Sequence, residues 1–89
     1  MNMAYSYEAE RDKLFTDEGQ RLFIEMRDTT FRLMEEAGAA RMDKMMAGLA
    51  GDAWTMLACA DRMVEIGDIK EITPSVGVAG QHRVFVRNY

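Results

Sequence analysis

Cys59 and His82, the single cysteine and the single histidine of the 89-residue chain, are the first side chains to consider for catalysis. A hydrolytic dyad needs a thiol and an imidazole within hydrogen-bond distance, together with an orienting carboxylate and an oxyanion site. Cys59 falls in the middle of a predicted helix, on its apolar edge, where a thiol usually serves as inert packing. The sequence therefore predicts no catalytic residues and no enzyme activity.

Metal and cofactor sites are the next chemistry that the residue types could indicate. The chain contains nine methionines, of which Met42, Met45 and Met46 lie close together. These three fall at helical positions that bury apolar groups, and methionine is a flexible filler of protein cores. The glycine-bearing segments 48–54 and 77–80 lack the lysine and hydroxyl residue of a phosphate loop. We predict neither a metal nor a cofactor.

The composition is that of a small soluble globular domain. Eleven basic and fifteen acidic residues give a net charge of −4, and 48% of the residues are hydrophobic. A chain of 89 residues excludes most large enzyme folds and is expected to form one domain. One cysteine permits no intramolecular disulfide, and the first 25 residues contain no apolar run longer than Leu22–Ile24. We expect a cytoplasmic protein without a signal peptide or membrane contact.

An arm and one long helix are predicted from the first half of the chain. Residues 1–15 mix tyrosines with alternating charges and show no clear hydrophobic period, which predicts a loosely held N-terminal arm that can contain a helical turn. Thr16 supplies an N-cap oxygen and Gly38 permits a left-handed helix end, so a helix is predicted over Asp17–Ala37. Its apolar residues recur at the spacing of one buried stripe. We predict that residues 16–89 form the folded domain.

Two shorter helices are predicted after the long one. Ala39–Met42 can form a single strand-like segment, and Asp43 is a candidate N-cap for a brief helix over Lys44–Ala50. A tight turn follows. Asp52 can then cap a further helix over Ala53–Ile66.

The end of the chain has the shorter period of β-strands. Gly67 ends the last predicted helix, and Ile69–Thr73 and His82–Asn88 are rich in β-branched and aromatic residues. Turn-forming residues separate these segments over about eight positions. They are Pro74, Ser75, Gly77 and Gly80. The predicted fold class is thus mostly α with a small β-sheet, an α+β domain of three helices and a C-terminal β-hairpin.

This order of elements resembles a winged helix-turn-helix domain, in which two short helices meet at a turn and a hairpin supplies the wing. The resemblance is most specific over residues 58–71, ACADRMVEIGDIKE, which are similar to winged-helix regulators of the multiple-antibiotic-resistance type. In that family an Asp-Arg-apolar triplet is followed by a glycine, an isoleucine and a charged strand. The matching residues are Asp61, Arg62, Met63, Gly67, Ile69, Lys70 and Glu71. Residues 82–87, HRVFVR, resemble the returning wing strand, so the resemblance covers about residues 41–87.

The resemblance implies a small regulator that contacts duplex DNA. The third predicted helix would lie in the major groove, with Thr55 and Arg62 at the base edges, and the wing would contact the phosphate backbone. The contacts implied for the wing and for the second short helix are Lys70, Arg83, Arg87, Arg41 and Lys44.

The distribution of charge supports this expectation only in part, because DNA affinity depends on neutralised phosphates. Residues 1–37 contain five basic and nine acidic side chains, whereas residues 38–89 contain six of each and are neutral. Beyond Pro74, however, the sequence sets no acidic residue against Arg83 and Arg87. They lie two β periods apart and therefore project from one side of the strand. This pair is the predicted phosphate-binding patch.

A non-catalytic protein-interaction module on the same scaffold is the alternative hypothesis. Trp54 begins the third predicted helix beside the small residues Thr55 and Ala58, and an exposed tryptophan in that setting is an anchor of the kind found at interface hot spots. The same tryptophan could instead pack at the rim of the core. The first helix or the arm could form a homodimer contact. The sequence leaves duplex DNA and a protein as alternative partners.

Overall fold

A computed structural model describes residues 4–73 and 80–88 of the chain. Pro74, Ser75 and Gly77 of the predicted turn lie outside these residues. The described part combines helices with one small antiparallel sheet, so the predicted α+β class is confirmed. Within it, no helix has both the length and the apolar character needed to cross a membrane.

The N-terminal arm, described from residue 4 to residue 15, contains two short helical segments, α1 (Tyr7–Glu10) and a 3-10 helix (Arg11–Phe15). Both tyrosines of the arm pack against the core, and Leu14 is buried. The arm thus contains the helical turn that the sequence allowed, and it packs on the core. Two short helical segments change direction too soon to give one hydrophobic period, although their apolar side chains still leave water.

Helix α2 spans Asp17–Ala37, as predicted. Thr16 Oγ1 accepts a hydrogen bond of 3.0 Å from the Gly19 backbone N–H, and Gly38 ends the helix with a φ of 82°. Glycine is required at position 19, because a Cβ built there would lie 1.9 Å from the Lys13 carbonyl oxygen. The end of the arm therefore runs directly against the first turn of α2.

β1 (Ala40–Arg41) and α3 (Met42–Met46) follow α2. The predicted strand-like segment is confirmed, but α3 begins and ends earlier than the predicted Lys44–Ala50. Asp43 does not cap this helix, because α3 begins at Met42 and Asp43 lies inside its first turn, where its carboxylate accepts two hydrogen bonds of 2.8 Å from the Arg41 guanidinium. The residue after α3 has an extended backbone, which ends the helix.

Helix α4 spans Ala53–Glu65. As predicted, the Asp52 carboxylate caps it by accepting a hydrogen bond of 3.0 Å from the Thr55 backbone N–H, and Gly67 has a φ of 84° just beyond its end. Five consecutive residues in its middle, 56–60, are all buried. A helix that is buried on every side needs neighbours on every side, and α4 packs against both α2 and the arm.

The sheet contains three antiparallel strands in the order β1, β3, β2, where β2 is Ile69–Glu71 and β3 is Val84–Arg87. Paired residues include Ala40 with Phe85 and Ile69 with Arg87. The predicted hairpin is confirmed, but its strands are shorter than predicted. Residues 80–82 form a 3-10 turn ahead of β3, and β1 closes the second edge of that strand.

Methionines fill much of the core between the helices and the sheet. Met26, Met42, Met45 and Met63 are fully buried, together with Phe85. Methionine has three rotatable bonds and fits irregular gaps between elements that meet at different angles. Of the three clustered methionines, Met42 and Met45 are thus core residues, and Met46 packs against the same core.

Thr30 gives a direct test of this packing. Its side-chain oxygen is buried in the middle of α2 and has no hydrogen-bond partner among the described residues. Valine replaces the hydroxyl with a methyl group of the same shape, so we expect Thr30→Val to raise the free energy of unfolding by about 1 kcal/mol in a urea titration. Thr29→Val, at a partly exposed position of the same helix, should change it by less than about 0.5 kcal/mol. A less stable Thr30→Val would mean that the hydroxyl is hydrogen-bonded after all.

Candidate functional site

The outward side of α4 is the surface that both sequence hypotheses assign to function. One stripe of α4 has the spacing of a single helical face, and we call it the α4 flank. Its residues are Trp54, Ala58, Asp61 and Glu65. Trp54 belongs to the predicted protein anchor, and Asp61 is the first residue of the Asp-Arg-apolar triplet on which the resemblance rests.

The N-terminal arm lies across the α4 flank. The Tyr5 hydroxyl donates a hydrogen bond of 2.6 Å to Asp61 Oδ2, and the Tyr7 hydroxyl donates one of 2.8 Å to Glu65 Oε1. Arg11 Nε lies 3.2 Å from the same Glu65 oxygen. The arm therefore supplies hydroxyl and guanidinium donors to both carboxylates of the flank.

Ala58 is 0% exposed, so its predicted exposure as part of a protein-binding patch is wrong. It lies in the buried middle of α4, which packs against both the arm and α2. The helical spacing correctly placed Ala58 beside Trp54 and Asp61. It carried no information about the arm, because the arm has no period of its own.

Trp54 is half-buried and packs against the core. Together with Tyr5, Met46 and Leu57 it lines a cleft of about 420 Å³ beside the sheet. This environment agrees with the prediction of a rim tryptophan, and it leaves one side of the indole next to the arm. Thr55, the predicted base contact, is engaged locally, because its hydroxyl donates a hydrogen bond of 3.1 Å to the capping carboxylate of Asp52.

The sequence suggested that Arg83 is exposed and has no acidic neighbours. In the structure it is largely buried and has two acidic neighbours. Its guanidinium lies 2.7 Å from Asp61 Oδ1 and 2.8 Å from Glu71 Oε1, and its side chain is only 16% exposed. Burial opposes the charge of Arg83, but the hydrogen bonds with Glu71 and then Asp61 outweigh it and raise its pKa. The same contact, above all the hydrogen bond from Arg83, lowers the pKa of Glu71. The expectation failed because it counted only the acidic residues that follow Pro74, whereas these two precede it.

Arg87 shares one side of β3 with Arg83, as the two-residue period predicted, but that side faces the protein. Phe85 lies between them and is fully buried. The Arg87 guanidinium is 3.9 Å from the centroid of the Phe31 ring on α2. The predicted phosphate-binding patch is therefore packed against aromatic rings and carboxylates.

Two further predicted contacts are also paired. Arg62 lies 2.6 Å from Glu65 Oε1 and stands over the Phe15 ring at 5.5 Å from its centroid. Arg41 holds Asp43, as described above. Each of these guanidinium groups therefore faces a carboxylate at close range.

Of the predicted nucleic-acid contacts that remain exposed, Arg41 is paired with Asp43, and the other two are Lys44 and Lys70. Neither forms an ion pair with a residue of the described ranges 4–73 and 80–88. Lys70 follows the buried Ile69 in β2, so it projects from the outer side of the sheet, opposite to the side that carries Arg83 and Arg87.

The electrostatics of the α4 flank differ at its two carboxylates. Hydrogen bonds from Arg62, then Tyr7 and then Arg11 lower the pKa of Glu65 to about 2. Burial and the hydrogen bond to Asp61 raise the pKa of Tyr5. Burial and the hydrogen bond to Glu65 likewise raise the pKa of Tyr7. Both tyrosines therefore stay protonated and keep donating their hydrogen bonds well above neutral pH.

The remaining reactive groups do not assemble into a site. Cys59 is fully buried, and burial raises the pKa of its thiol to about 12. His82 is exposed in the 3-10 turn before β3. In the part of the chain that the structure describes, no three histidine, cysteine or carboxylate side chains are grouped so that they could hold a metal ion.

Sequence reasoning missed an apolar groove beside the α4 flank. Phe15 is 50% exposed and Ile24 is 58% exposed, and they border a groove of about 310 Å³ that Phe23 and Arg62 also line. Ile24 lies off the predicted buried stripe of α2. A large apolar residue on the outer face of an amphipathic helix was the signal that could have revealed it.

Comparisons of the chain with family models, with curated proteins and with solved structures each found no match. What the protein does must therefore follow from its own side chains and their arrangement.

Arg62 provides a test of the electrostatics at the α4 flank. Arg62→Gln removes the largest cause of the lowered Glu65 pKa, so we expect that pKa to rise from about 2 toward 4.5 in a carboxyl NMR titration. A lowered pKa stabilises the fold above the unfolded value of 4.5, and this contribution is lost as the pH falls through about 2. In the variant the loss should begin at higher pH.

Arg32→Gln is the matched control for Arg62→Gln, because Arg32 pairs with Glu36 at 3.8 Å on the exposed face of α2. It should leave the titration of Glu65 unchanged. An unchanged Glu65 pKa in Arg62→Gln would contradict the assignment of Arg62 as the dominant partner.

Proposed function

We propose that the chain is a winged-helix domain that acts as a non-catalytic protein-interaction module. The winged-helix assignment is supported by the order of elements, in which α2, β1, α3 and α4 lead into the β2–β3 hairpin. It is the order on which the resemblance rests. Because one scaffold hosts many activities, the function has to be argued from the α4 flank.

The internal pairing of arginines speaks against phosphate binding as the main activity. Arg41, Arg62 and Arg83 each face a carboxylate within 2.8 Å. DNA affinity comes largely from cations that replace the counterions of the phosphates. Arg83, which is largely buried, would leave Asp61 and Glu71 unpaired, and Arg41 and Arg62 would give up a close ion pair for each phosphate contact.

The carboxylates of the α4 flank are the observation that carries the proposal. Asp61 and Glu65 stand one helical turn apart on the helix that would have to approach DNA, and both accept hydrogen bonds from tyrosine hydroxyls. Acidic groups at that position repel a phosphate backbone. They suit the hydroxyl, amide and guanidinium donors of a protein partner.

Duplex DNA is the second candidate partner, and the observation that favours it is the pair of exposed ammonium groups of Lys44 and Lys70, which form no ion pair with any described residue. Fluorescence anisotropy with random duplex DNA at about 50 mM salt tests this directly. We expect no binding tighter than about 10⁻⁴ M, because two isolated lysines neutralise too few phosphates.

If the chain binds duplex DNA more tightly than this, and if the two lysines cause the binding, DNA becomes the preferred partner and a protein the second candidate. In that case Lys44→Gln and Lys70→Gln should each reduce the slope of log affinity against log salt by about one. Glu35→Gln, on the outer face of α2, is the control and should leave that slope unchanged.

Site-specific cross-linking tests the protein-interaction proposal. A photoreactive amino acid is placed at Ala53, which is exposed at the start of α4 and lines the Trp54 cleft. The control carries it at Ala37, the exposed last residue of α2. We expect adducts that protease removes and nuclease does not, formed from position 53 and not from position 37. Nuclease-sensitive adducts at position 53, or equal yields at both positions, would refute the proposal.

A further inference from the structure

We propose that the N-terminal arm is an intramolecular cover, and that the α4 flank beneath it is a docking site for a partner segment carrying aromatic hydroxyl and guanidinium groups. This inference rests on the proposed function and names the partner chemistry and the regulation of the same surface. In the structure, the arm occupies the site that the partner segment takes when the arm leaves.

The spacing of donors and acceptors defines the ligand. Ser6 is extended, with φ of −138° and ψ of 124°, and it separates Tyr5 from Tyr7. Alternate residues of an extended chain lie about 6.6 Å apart. Residues four apart on a helix rise about 6 Å along its axis. Two hydroxyl donors on alternate residues therefore match the acceptors Asp61 and Glu65.

Charge complementarity fixes the second part of the ligand. Arg11 adds a guanidinium 3.2 Å from Glu65 Oε1, in addition to the Tyr7 hydroxyl on the same oxygen. The flank is thus satisfied by two tyrosines and an arginine in one short segment. A partner segment with the same order of aromatic hydroxyls and a cation makes the same contacts.

The arm is fastened most firmly at its C-terminal end. Within the two helical segments of the arm, only Glu10 and Leu14 are buried, and Glu10 pairs with Lys13 of the arm itself. Leu14 belongs to the core, and the Lys13 carbonyl abuts Gly19 of α2. Residues 4–11 can therefore lift from α4 while Leu14 and the Lys13 carbonyl stay in place. The Tyr7 and Arg11 contacts with Glu65 are exposed and the Tyr5 hydrogen bond to Asp61 is partly buried, so this part of the arm opens at lower cost than the buried Leu14.

A tethered cover competes strongly with a free segment. A segment joined by a short linker acts at an effective concentration of about millimolar. The wild-type flank should therefore bind a free copy of the arm poorly, and a chain whose arm has been released should bind it well. This difference separates a removable cover from an ordinary structural element.

Trp54 reports on the position of the arm. It is the single tryptophan of the chain and lines the same cleft as Tyr5. Release of Tyr5 exposes the indole, so quenching of Trp54 emission by acrylamide should increase. This readout is independent of any ligand.

The experiment uses the full-length chain and a labelled synthetic peptide with the sequence of residues 4–15. The released variant is Tyr5→Glu with Tyr7→Glu, which sets carboxylates against Asp61 and Glu65. We expect it to show increased quenching of Trp54 and to bind the peptide about tenfold more tightly than the wild type, or better. Glu8→Gln, at an exposed arm residue, is the control and should match the wild type in both measurements.

Three results would overturn the inference. One is unchanged Trp54 quenching in the folded double variant, since the arm would then not be removable. Another is increased quenching without tighter peptide binding. The third is a released variant that dimerises with rising concentration in sedimentation, which would assign the flank to a second copy of this chain. If the double glutamate variant loses its folded circular dichroism, Tyr5→Phe with Tyr7→Phe carries the same test with the rings retained.

The outcome can be separated from that of the proposed function. If the released variant does not bind the peptide but protein adducts still form from position 53, only the further inference about the arm and its ligand class is refuted. Nuclease-sensitive adducts, or binding of DNA by the released variant in place of the peptide, would refute both the further inference and the proposed function.

Discussion

The Asp61 carboxylate joins the three parts of the molecule. One of its oxygens accepts the hydrogen bond from Tyr5 of the arm, and both lie within hydrogen-bond distance of the Arg83 guanidinium ahead of β3. Asp61 itself projects from α4. A single partly buried anion thus ties arm, helix and sheet together, and each of its partners is held because the others neutralise or desolvate the same group.

That junction also decides what the surface can bind. A largely buried arginine that balances two partly exposed carboxylates is part of the fold, and the energetic cost of leaving these groups unpaired keeps it there. Most of the arginine side chains thus form ion pairs or ring contacts within the protein. Net charge gives a poor forecast of binding in such a protein, because the relevant quantity is the charge left over after internal pairing.

Local chemistry predicted the two longest helices, α2 and α4, and failed where distant segments meet. Thr16, Gly38 and Asp52 determine helix ends through backbone hydrogen bonds to near neighbours, and these predictions are confirmed. The pairing of Arg83 with Asp61 spans 22 residues, and that of Tyr5 with Asp61 spans 56. The hydrophobic period of a helix or a strand shows which face is buried, but it does not show which distant element packs on that face. The covered state of the α4 flank was therefore beyond sequence reasoning, as was the burial of Ala58.

The methionine-filled core has a mechanical consequence for the helices and the sheet that pack on it. Branched side chains hold one shape, and a void next to them stays open. Thioether chains rotate about three bonds and follow their neighbours, so Met26, Met42, Met45 and Met63 give the interior a deformable lining. Small movements of the overlying helices can then be absorbed by rotamer changes within the lining, while the backbone of the sheet stays where it is.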